Sequence, residues 1–378
     1  MSKGIAWLAG ETSGDYIASL VLPHVSALYE GERMFGIGGE KMVQAGLEAW
    51  HPSSALAVRG YVEVLRRLPS LLMLQKEMKK RVLEINPRAF IGVDAPDFNL
   101  GIETYLRERG IKTIHFVCPS IWAWRPERIH TIKKAVDHML LVFPFEKELM
   151  DKAGIESTYI GHPLARVIPM QPDKLAARER LKLDVSGPLF AVMPGSRQAE
   201  VAWCSPHFFG ACDRILDFDS RSQFVVPASD AEREAQIVSF LEKCPRVKAA
   251  TTLVRGKSHD AMEAADAVLL ASGTAALECA LFKRPMVVGY AMPGFTGILM
   301  QKKGIINYVS LPNILAGELL VPELLQYYCR AEPLAFQLWH AYEKRNDQKL
   351  IDRFTVMHES LLRDTPTLAT QAIQSVCG

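Results

Sequence analysis

Residues 267–278 read AVLLASGTAALE, an apolar run followed at once by a Ser-Gly-Thr turn and a stretch of small residues. A continuous apolar run is typical of a parallel strand that is buried on both faces. Ser and Thr are typical of a helix start, whose free N–H groups form a ready anion site. The stretch therefore predicts a buried strand, an anion-binding turn at Ser272, Gly273 and Thr274, and a helix that carries Glu278 one turn in.

The same strand-then-helix pattern recurs along the whole chain. Alternation of this kind predicts an α/β fold with doubly wound parallel sheets, in which ligands bind beyond the carboxyl ends of the strands. The predicted strands are Ile5–Ala9, Arg33–Ile37, Ala89–Asp94, Lys112–Val117, His138–Phe143, Leu189–Met193, Gln223–Pro227, Thr251–Val254, Ala267–Ala271 and Met286–Tyr290.

The length and one proline-rich stretch divide the chain. A chain of 378 residues is too long for a single core. Residues 161–174 read GHPLARVIPMQPDK, and its three prolines resist both helix and central strand. We predict two Rossmann-like domains that face a central cleft, at residues 1–165 and 166–340, and a helical tail at 341–378.

Composition excludes several classes of protein. The net charge is +2, without the excess of Lys and Arg that is typical of a nucleic-acid binder. The seven cysteines are scattered without a C-x-x-C pair, so we expect no disulfide framework, no structural zinc and a reducing compartment. We see no signal peptide and no apolar window long enough to span a membrane.

Candidate site residues in the first half follow predicted strands. The first strand runs into AGETSGD (residues 9–15), where Ser13 and Gly14 are candidates for contact with a sugar or a phosphate. The alternative is an ordinary turn with Ser13 or Asp15 capping the next helix. The third strand ends in DAPDFN (residues 94–99), where Asp94 is a candidate base and Asp97 is more simply a helix cap.

Two loops add aromatic and basic groups. The segment PSIWAWRPER (residues 119–128) holds two tryptophans that either stack on a sugar or pack in the core, and arginines that can pair with a phosphate. In the second half, PGSR (residues 194–197) follows a strand. Its glycine is expected to let the backbone approach a phosphate, with Ser196 beside it and Arg197 as a fork of donors. No cluster predicts a metal site.

Residues 55–81 form a basic amphipathic stretch. Seven basic residues stand against two acids, and an apolar face repeats at helical spacing. Such a helix either packs on its own core or lies in an anionic membrane surface. The residues of the apolar face are Val58, Val62, Leu65, Leu68 and Leu72.

Taken together, these blocks resemble the lipid-A-disaccharide synthase family of GT-B glycosyltransferases along nearly the whole chain. The blocks are AGETSGD, GIGGEKM, YVEVL, GVDAPDFN, PSIWAWR, FPFE, GHP, PGSRQAEV, ASGTAALEC, PMVVGY and YVSLPN. The family resemblance implies two Rossmann-like domains, with the nucleotide held mainly by the second and the C-terminal tail packing back on the first.

The resemblance also implies a reaction. UDP-2,3-diacylglucosamine donates its sugar to the 6-hydroxyl of 2,3-diacylglucosamine 1-phosphate, giving a β-1,6 disaccharide phosphate and UDP, at the cytoplasmic face of the inner membrane of Gram-negative bacteria. Inversion at the anomeric carbon requires one base, which we assign to Asp94. Glu278 is expected to hold the ribose, and Asn313 to lie near the sugar. We expect no cofactor and no metal.

One residue departs from the family pattern, and two alternatives stay open. Arg59 stands where the family commonly has Met, which leaves the exact membrane-contact residue unsettled. A UDP-sugar 2-epimerase or another membrane-sugar transferase would keep the fold and change the chemistry. A non-catalytic nucleotide-sugar binder would bind UDP and turn nothing over.

Overall fold

The computed structural model describes residues 4–56, 61–123, 125–183, 187–271, 273–291 and 308–378. The chain divides into two compact units. The first consists of Met1–Pro163 and Ser360–Gly378, and the second of Leu164–Glu359. Each unit is built on one parallel sheet, as the apolar runs predict.

The first unit has a seven-stranded sheet of order β3-β2-β1-β4-β5-β6-β7. Its strands are β1 Ile5–Ala9, β2 Met34–Gly38, β3 Glu48–Pro52, β4 Ala89–Val93, β5 Lys112–Phe116, β6 His138–Leu141 and β7 Ser157–Tyr159. Its helices are α1 Thr12–Leu28, α2 Glu40–Gln44, α3 Tyr61–Ile85, α4 Pro96–Arg107, α5 Ile129–Ala135 and α6 Glu146–Ala153. Strands β1 and β4 are fully buried along their length, because helices cover both faces of the sheet.

The second unit has a six-stranded sheet of order β10-β9-β8-β11-β12-β13. Its strands are β8 Leu189–Met193, β9 Gln223–Ala228, β10 Thr251–Arg255, β11 Ala267–Ala271, β12 Met286–Tyr290 and β13 Glu323–Leu325. The helices up to α13 are α7 Leu164–Val167, α8 Lys174–Arg180, α9 Gln198–Phe218, α10 Ala231–Leu241, α11 Pro245–Ala249, α12 Ser258–Ala264 and α13 Thr274–Leu281. The C-terminal helices are α14 Leu311–Ala316, α15 Ala331–Glu343, α16 Gln348–Leu361 and α17 Thr365–Cys377.

The tail predicted at 341–378 is divided between the two units. Helix α16 belongs to the second unit for most of its length, where His358 is buried and its Nε2 donates to the Ala165 carbonyl at 2.8 Å. Only residues from Ser360 onward return to the first unit, where α17 packs on α1 and on β5–β7. The predicted boundary at 340 is therefore wrong, because the buried face of α16 contacts the second unit.

Helix α3 changes character along its length. In its C-terminal half, Met78 and Val82 are fully buried in the core of the first unit. In its N-terminal half, the large apolar side chains of Leu68, Leu72 and Met73 are exposed. No helix in the described ranges is both long and apolar enough to cross a membrane.

Candidate functional site

Asp94 lies at the carboxyl end of β4, in a strained loop. Asp94 and Ala95 have φ values of +53° and +45°, the left-handed conformation that non-glycine residues seldom adopt. Each such residue costs roughly 1–2 kcal/mol. The loop is nevertheless held on both sides, because the Asp94 N–H donates to the Phe116 carbonyl at 2.9 Å and the Asn99 amide donates to the Asp94 carbonyl at 2.8 Å. Strain that is held in this way is typical of a functional loop.

The Asp94 side chain is partly buried, and its carboxylate accepts few hydrogen bonds from the protein. Its Oδ1 accepts the N–H of Ala95 at 2.9 Å, and its Oδ2 lies 3.5 Å from the Ser13 hydroxyl. Acceptor capacity is left on both oxygens, since a carboxylate offers about four lone-pair positions. The carboxylate can therefore accept a proton or a hydrogen bond from a bound hydroxyl.

A fully buried polar pair lies behind this loop. His115 Nδ1 on β5 lies 2.8 Å from Glu103 Oε1 on α4, and neither side chain is exposed to solvent. Gly92 makes room for the pair, since a Cβ at that position would lie 2.1 Å from Glu103 Oε1 and 3.1 Å from Asn99. Within the part of the chain that the structure describes, Glu103 Oε2 and His115 Nε2 have no hydrogen-bond partner. His115 is thus a core histidine whose acidic partner is Glu103.

The turn after β1 supports the Asp94 loop. Gly14 packs against the end of β4, since a Cβ there would lie 3.4 Å from Val93. The expectation that Asp15 caps its own helix is wrong, because its carboxylate accepts from the backbone of Gly39 at 2.8 Å and of Met42 at 3.1 Å. Asp15 thus caps α2, and from this turn the Ser13 hydroxyl lies 3.5 Å from Asp94 Oδ2.

The aromatic loop packs within the first unit. The Trp122 indole N–H donates to Glu146 Oε1 at 3.2 Å, and its ring meets Phe143 and Phe145 edge-on. The second tryptophan of the motif, Trp124, lies outside the described residues. Arg128, predicted as a phosphate partner, pairs instead with Asp97, the first-turn residue of α4.

Burial shifts the protonation of two groups beside this aromatic cluster. Glu146 is fully buried, and desolvation raises its pKa to about 8. Desolvation lowers the pKa of His162, which stacks on Phe143, to about 4. Both side chains are therefore mainly neutral near pH 7. Sequence reasoning missed Glu146, and its only signal was a lone acid in the apolar block FPFE.

In the second unit, the loop between β8 and α9 donates its backbone N–H groups to Glu200, in the first turn of α9. Glu200 Oε2 accepts the backbone N–H groups of Ser196 and Arg197, at 3.1 and 3.2 Å. A Cβ on Gly195 would lie 2.4 Å from the Glu200 Cβ, so this glycine makes room for Glu200. The expectation that Gly195 opens the backbone to a phosphate is wrong. The Arg197 side chain remains 72% exposed, with one guanidinium nitrogen 3.2 Å from Glu200.

The turn after β11 has an open backbone. Gly273 has a φ of +147°, and a Cβ there would meet nothing within 4 Å, so a ligand can approach closely. Thr274 begins α13, and among the residues that the structure describes no side chain caps the first N–H groups of this helix. Glu278 lies one turn further and is 17% exposed. Ser272 lies outside the described residues.

His259 on α12 is the neighbour of Glu278 that sequence reasoning missed. Its Nε2 lies 3.4 Å from Glu278 Oε2, and its ring meets the Phe282 ring edge-on at 5.5 Å. The Glu278 carboxylate raises the pKa of His259, and Asp260 and Glu263 act in the same direction. An acid and a histidine from two different helices thus share one exposed corner of the second unit.

Asn313 has a structural position. Its side chain is fully buried and donates to Val321 O and Glu323 Oε1 at 2.8 Å, while its Oδ1 accepts from the N–H groups of Leu320 and Val321. All four hydrogen-bonding positions of an Asn amide are used. The expectation of a sugar contact at Asn313 therefore has no free donor or acceptor to rest on.

The structure describes the side chains of two of the five residues of the predicted membrane face. Leu68 and Leu72 are 43% and 56% exposed on α3. Val58 lies outside the described residues, and so do the side chains of Val62 and Leu65.

Comparison with known proteins identifies the family. The family model described as lipid-A-disaccharide synthetase matches residues 5–373. The chain belongs to this family. The synthase of Paraburkholderia phymatum is 46% identical over 98% of this chain and 96% of that protein. The synthase of Bordetella avium is 47% identical over 100% of this chain and 99% of that protein.

Solved structures of low sequence identity share the fold of this family member. MurG of Acinetobacter baumannii matches with a TM-score of 0.57 at 12% identity, covering 98% of this chain and 99% of that one. The S. aureus MnaA–UDP structure matches with a TM-score of 0.63 at 10% identity, covering 99% and 95%. The fold is GT-B, as the resemblance implies, and the protein is a glycosyltransferase of lipid A biosynthesis.

Proposed function

We propose that the protein transfers the sugar of UDP-2,3-diacylglucosamine to the 6-hydroxyl of 2,3-diacylglucosamine 1-phosphate, with inversion. The acceptor oxygen forms a bond to the anomeric carbon as the bond from that carbon to the phosphate oxygen breaks. The hydroxyl proton passes to Asp94, and UDP leaves with the bonding electrons. The position of Asp94 carries this assignment: it is a partly buried carboxylate at a strand end, in a loop whose strain is held by buried neighbours.

The second unit supplies the groups that would hold the leaving UDP. The start of α13 at Gly273 and Thr274 offers backbone N–H groups, and Arg197 offers an exposed guanidinium. Groups of this kind stabilise negative charge that develops on a leaving phosphate, typically by about 3–4 kcal/mol for one preorganised donor. Glu278 lies one helical turn from Thr274 and would accept hydrogen bonds from the two ribose hydroxyls.

Helix α3 would bring the protein to the acylated substrates. Its exposed leucines and its basic residues suit the anionic cytoplasmic face of the inner membrane. Basic residues near such a surface contribute about 1 kcal/mol each, and the apolar side chains add to this when they are buried in the acyl region. We therefore propose peripheral, reversible membrane association.

The test is release of UDP from UDP-2,3-diacylglucosamine in detergent micelles, with and without the acylated monosaccharide phosphate. The proposal expects release only with the acceptor, and a β-1,6 disaccharide phosphate as the second product. Conversion of the UDP-sugar without acceptor would indicate an epimerase-type reaction. Binding of UDP without turnover would indicate a nucleotide-sugar binder and would contradict the proposal.

A further inference from the structure

The corner formed by α12 and the start of α13 holds a histidine that neither the family match nor the sequence motifs assign. Three acids lie near this histidine, His259, and two of them are paired with an arginine. Asp260 is paired with Arg180 Nε at 2.8 Å, and the Glu263 carboxylate is also bound by Arg180. Among the described residues, the third nearby acid, Glu278, pairs with His259, whose Nε2 lies 3.4 Å from Glu278 Oε2.

We propose that His259 positions Glu278 for recognition of the ribose of a uridine nucleotide. This inference rests on the proposed nucleotide site and deepens it. His259 Nε2 engages Oε2 of Glu278, so Oε1 and the remaining lone pair of Oε2 stay available to the 2′- and 3′-hydroxyls of the ribose. His259 is a positioning residue, because it acts on the ligand through Glu278.

The geometry gives His259 its own support. Its ring lies edge-on against Phe282, the residue that follows α13, with the ring planes at 68°. The imidazole is thus fixed by a contact with the same segment of chain that carries Glu278. A glutamate has several rotatable bonds, and ordering such a side chain on binding typically lowers affinity by roughly 3- to 10-fold. A side chain that is already held by His259 avoids that loss.

The test compares binding of UDP and 2′-deoxy-UDP to the full chain by calorimetry. In the unmodified protein we expect UDP to bind roughly 10- to 100-fold more tightly, as for a hydrogen bond to a charged group. In His259→Ala we expect this ratio to fall roughly 3- to 10-fold, with a smaller loss of affinity for 2′-deoxy-UDP, which keeps only the 3′-hydroxyl contact. His259→Gln restores an N–H donor near the position of Nε2 and should recover most of the ratio.

Two further variants separate positioning from general effects. His340→Ala removes the histidine of another exposed His–Glu pair, 3.6 Å from Glu343 on α15, and should leave the ratio unchanged. Glu278→Ala should bring the ratio close to one, and adding His259→Ala to it should lower the ratio no further. Non-additivity of this kind is expected of two residues that act as a unit.

The outcomes distinguish the inference from the function on which it rests. If UDP binds with the expected preference and His259→Ala keeps the full ratio, the role of His259 is wrong while the nucleotide site stands. If the unmodified protein does not bind UDP, the proposed function fails and this inference fails with it. If UDP and 2′-deoxy-UDP bind equally, Glu278 does not read the ribose and the inference is overturned.

Discussion

At the scale of single residues, the backbone conformation of Asp94 decides which substitutions its loop tolerates. Asp94 keeps a backbone conformation that asparagine also tolerates, since Asn and Asp enter the left-handed region more readily than other non-glycine residues. Replacement by Asn therefore removes the base without removing the loop. This property makes Asp94 the residue at which chemistry and folding can be measured separately.

We expect Asp94→Asn to lower kcat by roughly 10²- to 10⁴-fold, the usual contribution of a general base. Substrate binding and thermal stability should change little. The matched control is Asp97→Asn, three residues further, where the carboxylate is 81% exposed and paired with Arg128. Steady-state kinetics in micelles measure both variants, and an Asp94→Asn enzyme with most of its turnover would contradict the assignment.

Glu146 predicts a pH dependence of stability. Its pKa is about 8 in the folded protein and near 4.5 when unfolded, so the folded state holds an extra proton between these values. The resulting stability is fully present below pH 4.5 and is lost as pH rises through 8. His162 acts in the opposite direction, but only between its folded value of about 4 and its unfolded value of 6.5.

From pH 6.5 to 8 we therefore expect the first unit to lose about 1–2 kcal/mol of unfolding free energy, since one pKa unit corresponds to about 1.4 kcal/mol. Glu146→Gln should remove most of this slope. Hydrogen exchange of the β4–β6 amides at several pH values measures it, after correction for the intrinsic exchange rate. Glu148→Gln, on the same helix but with an exposed side chain, is the control and should keep the slope.

Asn313 predicts a loss of stability without a loss of binding. Replacement by Ala leaves two backbone N–H groups and a carbonyl without their partner and removes one of the donors to Glu323, and we expect a cost of roughly 2–4 kcal/mol. Urea denaturation gives the cost, and calorimetry gives the UDP affinity of the folded protein. Weaker UDP binding at unchanged stability would instead support the original expectation of a ligand contact.

At the scale of elements, the central strands could be predicted and several edge strands could not. Strands β1, β8, β11 and β12 were predicted with their observed bounds, because burial on both faces leaves an unbroken apolar run. Strands β3, β7 and β13 were missed. Their sequences, EAWHP, STY and ELL, carry no such run, and each is paired with a neighbour on one side only.

The same limit applies to the site. The sequence nominates Asp94 and Glu278 as candidates because one follows an apolar strand and the other lies in the first turns of the helix after one, and a strand end is visible in the sequence. The pairings Glu103–His115 and His259–Glu278 join residues of different elements. No local spacing brings such residues together, so only the packing of helix on sheet, or of helix on helix, reveals them. The motif PGSR predicts a phosphate-binding loop. In the structure, the backbone N–H groups of Ser196 and Arg197 donate to Glu200 instead.

Helix α3 carries the prediction for membrane binding. Replacing both Leu72 and Met73, which are 56% and 67% exposed, by Glu should reduce binding to anionic phospholipid vesicles at least tenfold. Sedimentation with vesicles measures the effect. Leu175→Glu is the control, since Leu175 is 63% exposed on α8 of the second unit. Equal loss in the control, or none in the double variant, would show that this face is not the contact.

At the scale of the whole molecule, the first unit is completed by the end of the chain. Leu361, Ala369 and Ile373 are buried, and the Thr365 hydroxyl donates to the Ile160 carbonyl at 2.8 Å. Deleting residues 360–378 should therefore destabilise the first unit and spare the second. We expect hydrogen exchange of β5–β7 to rise at least tenfold, with β8–β12 unchanged.

The matched control is a truncation after Gln374, which keeps the buried Ile373 and should retain protection of β5–β7. Unchanged exchange in the longer deletion would show that α17 is dispensable. Increased exchange in both sheets would show that the two units do not unfold independently.

The return of the last helix has a consequence for synthesis in the cell. The ribosome makes β1–β7 first, then the 196 residues from Leu164 to Glu359, and only then α17. At about 5–20 residues per second, the faces of α1 and β5–β7 that α17 covers wait roughly 10–40 s for their partner. The second unit is continuous in sequence and can fold as soon as it has left the ribosome. The second unit can therefore finish folding before the first, although the first is synthesised earlier. Until α17 is made, the apolar surface that it covers stays exposed, and chaperones at the ribosome can bind it.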